Sequence, residues 1–230
     1  MNVAIIVAAG RGTRAGGGGE PKQFRALAGV PLIIHTLRRF EACAAVSEIV
    51  LVAPVVEATL RVAAYRQELG KLARIVEGGA TRTESVWRGL ESLQAGEVEI
   101  VAVHDGARPF VTPEEIERTM RAAGESGAAV LCAPVVDTIK VFEEGRVAQT
   151  LPRENLRRAL TPQCFRYELL RRAHERARAG GVEATDDSAL VEMLCAPAVV
   201  ALIDGDARNI KITRPEDFAL AEILLKESEQ

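Results

Sequence analysis

The chain has 230 residues, enough for one large α/β domain that buries its own core. It is 48% hydrophobic, 27% charged and only 4% aromatic, so the core must come mainly from Ala, Val, Leu and Ile. With 29 basic and 32 acidic side chains the formal net charge is −3, which excludes a global positive field that would draw the chain onto nucleic acid or a membrane.

The first segment, Met1 to Ala9, is apolar but has no basic leader and stops at Gly10-Arg11. It does not read as a secretory signal. Nowhere do 18 apolar residues run together, so no membrane-spanning helix is expected. Cys43, Cys132, Cys164 and Cys195 are far apart and form no C-x-x-C, which argues against a zinc site or a disulfide framework. Four thiols in a reducing cytoplasm are the expectation.

In chain order, short runs apolar on both faces recur at Val3–Ala8, Ile49–Ala53, Ala73–Val76, Ile100–Val103, Ala129–Val135 and Val199–Ile203. Such runs suit strands of a buried parallel sheet. Helical segments lie between them. Thr81-Arg82-Thr83-Glu84 is a capping box ahead of Val86, Leu90 and Leu93. Thr112-Pro113-Glu114-Glu115 offers a cap, proline at the first helical position and Glu at the third. Arg166–Arg178 carries Leu169, Leu170, Ala173 and Ala177 at helical spacing under a solvated basic face. Thr213-Arg214-Pro215-Glu216 opens a last helix with an apolar stripe of Phe218, Leu220, Ala221 and Leu224. This alternation predicts a doubly wound, mostly parallel α/β sheet in a single domain over residues 1–230.

One segment breaks the alternation. Thr138 to Phe142, a turn at Glu143-Glu144-Gly145-Arg146, and Val147 to Thr150 read as a β-hairpin arm spanning about 137–155. Its inner positions are too few to make a core, so it needs another surface, a second subunit being the candidate. An edge hairpin on its own sheet is the alternative.

Ala8-Ala9-Gly10-Arg11-Gly12-Thr13-Arg14 follows the first strand directly. Glycines there let main-chain N–H groups approach and cradle phosphate oxygens. Gly10-x-Gly12-x-x-Ala15 satisfies the dinucleotide fingerprint in letter only. Gly16 to Gly19 and Pro21 follow where a helix should start, and the second strand ends Val52-Ala53-Pro54 without the acidic residue that fingerprint requires. Arg14 and Lys22 flank the glycine tract and are placed to close over opposite sides of a triphosphate.

These residues, with Pro21-Lys22-Gln23, resemble the signature of the 2-C-methyl-D-erythritol 4-phosphate cytidylyltransferases. Later segments agree in order along the chain: Gly78-Gly79-x-x-Arg82-x-x-Ser85, His104-Asp105-Gly106-Ala107-Arg108-Pro109, Asp137-Thr138-x-Lys140, Leu160-Thr161-Pro162-Gln163, Thr185-Asp186-Asp187 and Asn209-Ile210-Lys211-Ile212-Thr213. The resemblance implies a Rossmann-like nucleotidyltransferase fold. It implies an enzyme joining CTP to 2-C-methyl-D-erythritol 4-phosphate in isoprenoid-precursor synthesis, with release of pyrophosphate.

By the same resemblance Arg14, Lys22, Arg153 and Lys211 form the catalytic set. Ala8, Ala9, Gly10, Gly12, Gly79, Ser85 and Asp105 would bind CTP, and Arg108, Thr138, Thr161 and Thr185 the acceptor. Mg²⁺ would be held chiefly by triphosphate oxygens, with Asp105 as the candidate protein contact. Thr138 and Arg153 flank the arm, which implies a homodimer whose partner subunit completes each site. His104 is read as structural. The family often carries Asp where Ala80 stands, a departure that bears on one polar contact to the nucleotide. A cytidylyltransferase for another polyol phosphate such as ribitol 5-phosphate, a dinucleotide-binding protein and a non-catalytic nucleotide sensor are the rival readings.

Overall fold

A computed structural model describes residues 1–10 and 21–228. Gly12, Arg14 and Gly16 to Gly19, on which the expected triphosphate contacts fall, therefore lie outside the described residues. In chain order the elements are β1 (Asn2–Val7), β2 (Ala26–Leu27), β3 (Val30–Pro31), α1 (Leu32–Ala42), β4 (Glu48–Val52), α2 (Val55–Ala63), β5 (Leu72–Val76), α3 (Arg82–Glu91), β6 (Ile100–Asp105) and α4 (Pro113–Ser126). Then come β7 (Ala128–Pro134), β8 (Lys140–Glu143), β9 (Arg146–Thr150), β10 (Arg157–Arg166), α5 (Tyr167–Gly180), α6 (Asp187–Leu194), β11 (Val200–Asp204) and α7 (Pro215–Ser228).

Among the described residues the main sheet has seven strands in the order β11-β7-β10-β6-β1-β4-β5. Its pairings are parallel except those of β10, which runs antiparallel between β6 and β7. The two-faced apolar runs explain the layering. In β1, Ala4 and Ile6 face the layer formed by α1, α2 and α4, where Ile33, Leu37, Phe40, Val62 and Met120 are buried. Val3 and Ile5 face the opposite layer, packed on Val86 and Leu90 of α3 and Leu170 of α5. Alternate residues of a strand point to opposite faces, so helices on both faces require apolar residues at every position. A third cluster seats α7: Ala221 and Leu225 pack with Leu27, Leu32, Phe110 and Ile212. That packing holds residues 209–213 against the end of β6.

Local signals behave as their chemistry dictates, with three corrections. The Thr112–Glu115 box is complete, with Pro113 in the first turn of α4. The Thr81 box is one-sided: Thr81 Oγ1 accepts from Glu84 N at 3.1 Å, but the Glu84 carboxylate accepts from Ala80 N at 2.7 Å instead of closing onto Thr81. Leu220, expected in the buried stripe of the last helix, is exposed, while Phe218 and Leu224 are part-buried beside buried Ala221. Finally, β10 falls where no strand is expected from the sequence. Its first half is charged, and Pro162 lies within it, a residue that argues against an internal strand. The ladder to β7 shifts register between Ala159 and Gln163, and that irregularity accommodates Pro162.

The arm stands apart as its own two-stranded sheet of β8 and β9. Leu151 N donates to Ile139 O at 3.0 Å and closes its base. Phe142 and Val147 pair across the strands yet remain 76% and 63% exposed.

Candidate active site

The loops after β1, β5 and β6 emerge at the carboxyl ends of parallel strands, where β1 has β4 on one side and β6 on the other. Open α/β sheets bind ligands at such a switch in strand order. Here they frame a cleft of about 1060 Å³, with a smaller pocket of about 170 Å³ beside it. Asp105, Arg82, Thr185 and Lys211 line both.

The nucleotide-facing expectations converge on the larger cleft. Ala8, Ala9, Gly10, Lys22, Gly79, Ser85, Asp105 and Lys211 all line it. Close backbone approach makes this possible. A Cβ on Gly78 would fall onto the Cβ of Ala9, so only glycine lets the β5 loop touch the β1 loop. A Cβ on Gly106 would sit 2.9 Å from the Ala8 Cβ and 2.8 Å from Ile33 Cδ1. Gln23 is buried and donates from Nε2 to Ala8 O at 2.7 Å and Gly10 O at 3.1 Å, which pins the loop after β1 to the turn that carries Lys22. Lys22 Nζ donates to Ile212 O at 2.8 Å, so it lies next to Lys211 in the chain's other wall. Ser85 Oγ donates to Thr81 O at 2.8 Å and accepts from Gly79 N at 3.0 Å, holding the β5 loop to the start of α3. Arg88 Nη1 and the Glu84 carboxylate clamp the same loop through Gly78 O and Ala80 N.

Asp105, the last residue of β6, sits among three cations. Its Oδ1 accepts from Arg82 Nε at 3.3 Å, and its Oδ2 lies 2.8 Å from Lys211 Nζ and 3.6 Å from Arg108 Nε. Burial alone would raise its pKa, but the charges of Arg82 and Lys211 override this and hold it well below the usual carboxylate range. The larger cleft is lined by Lys22, Arg82 and Lys211 against Asp105 as its only carboxylate among the described residues. That excess of positive charge suits a polyanion.

Arg108 and Thr161 line the smaller pocket with Asp105, Thr185 and Lys211. Arg108 Nη1 donates to Asn209 O at 2.8 Å, and buried Asn209 donates from Nδ2 to Thr161 O at 2.9 Å. These bonds tie the 209–213 segment to the end of β6. Thr161 Oγ1 accepts from Asp105 N at 3.2 Å and contacts His104 Nδ1 at 3.0 Å. His104 Nε2 lies 3.0 Å from Arg108 O, a pure acceptor, so Nε2 carries the proton and Nδ1 accepts from Thr161. Burial pushes His104 down to about 4, and it stays neutral at pH 7 as a strut behind the site.

Two expected residues are not brought into this cleft by their own chain. Thr138 and Arg153 lie exposed at the base of the arm, with Arg153 Nη1 donating to Val136 O at 2.9 Å. Conversely, Arg82, Asp187, Gln23 and Asn209 carry structural weight that sequence reasoning left unassigned. All four lie inside the family-like motifs, and that is the signal the sequence carries for them. Among the described residues no cluster of three or more His, Cys, Asp or Glu could hold a metal, and no helix is long and apolar enough to cross a membrane. All four cysteines are free and buried.

Comparison with known proteins agrees with this geometry. Residues 2–227 match the family model described as IspD: 2-C-methyl-D-erythritol 4-phosphate cytidylyltransferase. Proteins of that name from Shouchella clausii and Pelotomaculum thermopropionicum are 44% and 45% identical, covering 98% and 97% of this chain and 97% and 93% of theirs. The crystal structure of 4-diphosphocytidyl-2C-methyl-D-erythritol synthase from Anaerococcus prevotii superposes with a TM-score of 0.84 at 28% identity, covering 98% of this chain and 96% of that one. A cleft built from a glycine-bearing first loop and ringed by lysine and arginine, on a chain matched from end to end, leads to one assignment: the chain belongs to the family of 2-C-methyl-D-erythritol 4-phosphate cytidylyltransferases and is a nucleotidyltransferase enzyme.

Proposed function

We propose that this enzyme joins CTP to 2-C-methyl-D-erythritol 4-phosphate, giving 4-diphosphocytidyl-2-C-methyl-D-erythritol and pyrophosphate, in the cytoplasm and in isoprenoid-precursor synthesis. The observation that carries the reading is the arrangement at Asp105: a cation-rich cleft large enough for a nucleoside triphosphate opens directly onto a second pocket lined by Arg108, Thr161, Thr185 and Lys211. Two anions bound side by side are what the reaction needs. An acceptor phosphate oxygen forms a bond to the α-phosphorus of CTP, the bond from that phosphorus to the bridging oxygen breaks, and pyrophosphate leaves. The attacking oxygen is already anionic, so the chemistry is one of positioning and charge stabilisation.

Lys22 and Arg14 stabilise the charge that builds on the triphosphate. Lys211 and Arg153 hold the acceptor phosphate in line, and the hydroxyls of Thr138, Thr161 and Thr185 bind the polyol. Arg153 and Thr138 reach the cleft of a second copy of this chain through the arm, whose exposed Phe142–Val147 pair supplies the apolar contact. The chain would then be a single domain over residues 1–230 whose arm, at about 137–155, is the dimer contact. Mg²⁺ would be held chiefly by the triphosphate oxygens, and Asp105, the one carboxylate lining the larger cleft among the described residues, would be the protein group to face it, its oxygens being already engaged by Arg82 and Lys211. When bound, that ion neutralises phosphate charge.

The test is pyrophosphate release with CTP and Mg²⁺, comparing 2-C-methyl-D-erythritol 4-phosphate with ribitol 5-phosphate. Turnover with the first is expected. Preference for the second overturns the acceptor assignment, and CTP binding with no turnover on either overturns the reaction.

A further inference from the structure

A row of hydrogen-bonded polar side chains leads from the cleft wall into the interior. Arg82, in the first turn of α3, donates from Nε to Asp105 Oδ1 at 3.3 Å and from Nη1 to Asp187 Oδ2 at 2.6 Å. Asp187 starts α6 and its side chain is 1% exposed. It accepts from His174 Nε2 of α5 at 3.0 Å, and its backbone N donates to Gln163 Oε1 at 3.1 Å. His174 is itself fully buried, and its Nδ1 has no partner among the described residues. One guanidinium thus joins α3 to β6 and α6, and the Asp187 end of that bridge is held in turn by α5 and β10. A planar fork with separate donors holds two carboxylates at a fixed spacing and angle, which a single ammonium nitrogen at the same point does not reproduce.

This geometry divides the Asp105 carboxylate. Oδ1 is taken by Arg82, and Oδ2 is left to Lys211 and Arg108. Were Arg82 absent, Oδ1 would lose its guanidinium partner, and the whole carboxylate charge would be free to turn toward Lys211 and Arg108. Asp187 fixes Arg82 in the wall of the cleft, because it holds one edge of the guanidinium from a buried anchor while Asp105 holds the other.

We propose that Arg82 is a positioning residue: pinned by Asp187 and His174, it holds Asp105 so that Lys211 and Arg108 present their charge to the acceptor phosphate. The inference rests on the proposed reaction.

The experiment measures steady-state kinetics of full-length wild type, R82K, D187N and the R82K/D187N double variant, with thermal melts to confirm folding. Each single variant should lower kcat/KM for 2-C-methyl-D-erythritol 4-phosphate by about tenfold, the loss of one charge-assisted link, while the KM for CTP changes by less than about threefold. Because both act through the same link, the double variant should be no worse than the poorer single within about twofold. Multiplying losses, equal losses for both substrates, or an R82K enzyme equal to wild type would each overturn the inference while leaving the reaction intact. A wild-type enzyme idle with this acceptor would instead overturn the proposed reaction and the inference with it. Should D187N melt below the assay temperature, R82K against R82Q decides: equal impairment supports bridging, and an R82K that retains activity lost in R82Q refutes it.

Discussion

Replacing Asp105 by Asn leaves the shape of the site and removes the one carboxylate that three cations share. In the native chain Arg82, Arg108 and Lys211 face Asp105 and Asp187, three positive charges against two negative. The variant faces three against one. Stripping one partner from a buried ion pair costs about 3–5 kcal/mol. The loss here sits at the low end, because Lys211 is 42% exposed and can turn to water, and Arg82 keeps Asp187. Arg108, only 12% exposed, has no such escape, and its cost dominates. A loss of about 3 kcal/mol in a chain of this size lowers the melting temperature by roughly 6–12 °C. Differential scanning calorimetry at low ionic strength measures it directly. Millimolar inorganic pyrophosphate should recover part of the loss, since a bound anion supplies the missing negative charge. A melting point within about 1 °C of wild type would refute the reasoning, because it would mean that the carboxylate does not hold these cations together.

Three further outcomes are expected. Gly78→Ala should open the cleft floor, costing about 1–3 kcal/mol by overpacking and weakening CTP binding in calorimetry; adding Ala9→Gly in the same chain should recover both, because it removes the atom the new Cβ strikes. Lys22→Ala should lower kcat by about 10²–10³ with little change in the KM for CTP, as for loss of one donor that acts mainly in the transition state, and unchanged turnover would contradict charge stabilisation by that side chain. Acid should destabilise the fold in two stages. Folded His104 holds its pKa at about 4 against 6.5 unfolded, so the unfolded chain takes up a proton first and about 3 kcal/mol is lost as pH falls from about 6.5 to about 4. His35, also lowered by burial, adds in the same direction. Asp105 and Asp187 have lowered pKa values, so their contribution is lost only below about 3.8. Urea titrations between pH 7 and 4.5 should show a smaller slope in His104→Asn, and an equal slope would remove His104 as the cause.

The fold and the first wall of the site were legible because they are written locally. A strand buried on both faces has no choice but to be apolar at every position, and Val3–Ala8 and Ile100–Val103 announce themselves for that reason. Glycine after such a strand signals close approach, and Gly78 against Ala9 is that approach realised. Thr112 to Glu115 completes its cap within four residues. β10 was not legible, because its stability comes from neighbours on both sides and not from its own charged and proline-bearing sequence.

The same distinction explains why the role of Lys22 is legible in the sequence and that of Arg82 is not. Lys22 is conspicuous beside a glycine tract, whereas the meaning of Arg82 depends on Asp187, 105 residues away in sequence, and on Asp105 between them. A lone arginine in the first turn of a helix reads as solvated charge, and a first-turn aspartate as a favourable partner for the helix dipole. Burial changes both roles. It would pull the Arg82 guanidinium toward its neutral form, yet Asp187 and Asp105 leave it more firmly protonated than in water. An acidic chain thereby keeps net positive charge in this cleft, by pairing the buried Asp187 with the arginine in its wall and sharing Asp105 between that arginine and the part-exposed Lys211. Arginine suits the bridging position because its fork can satisfy two fixed oxygens, and lysine the more exposed one because a compact ammonium on a flexible stem can turn toward a bound anion.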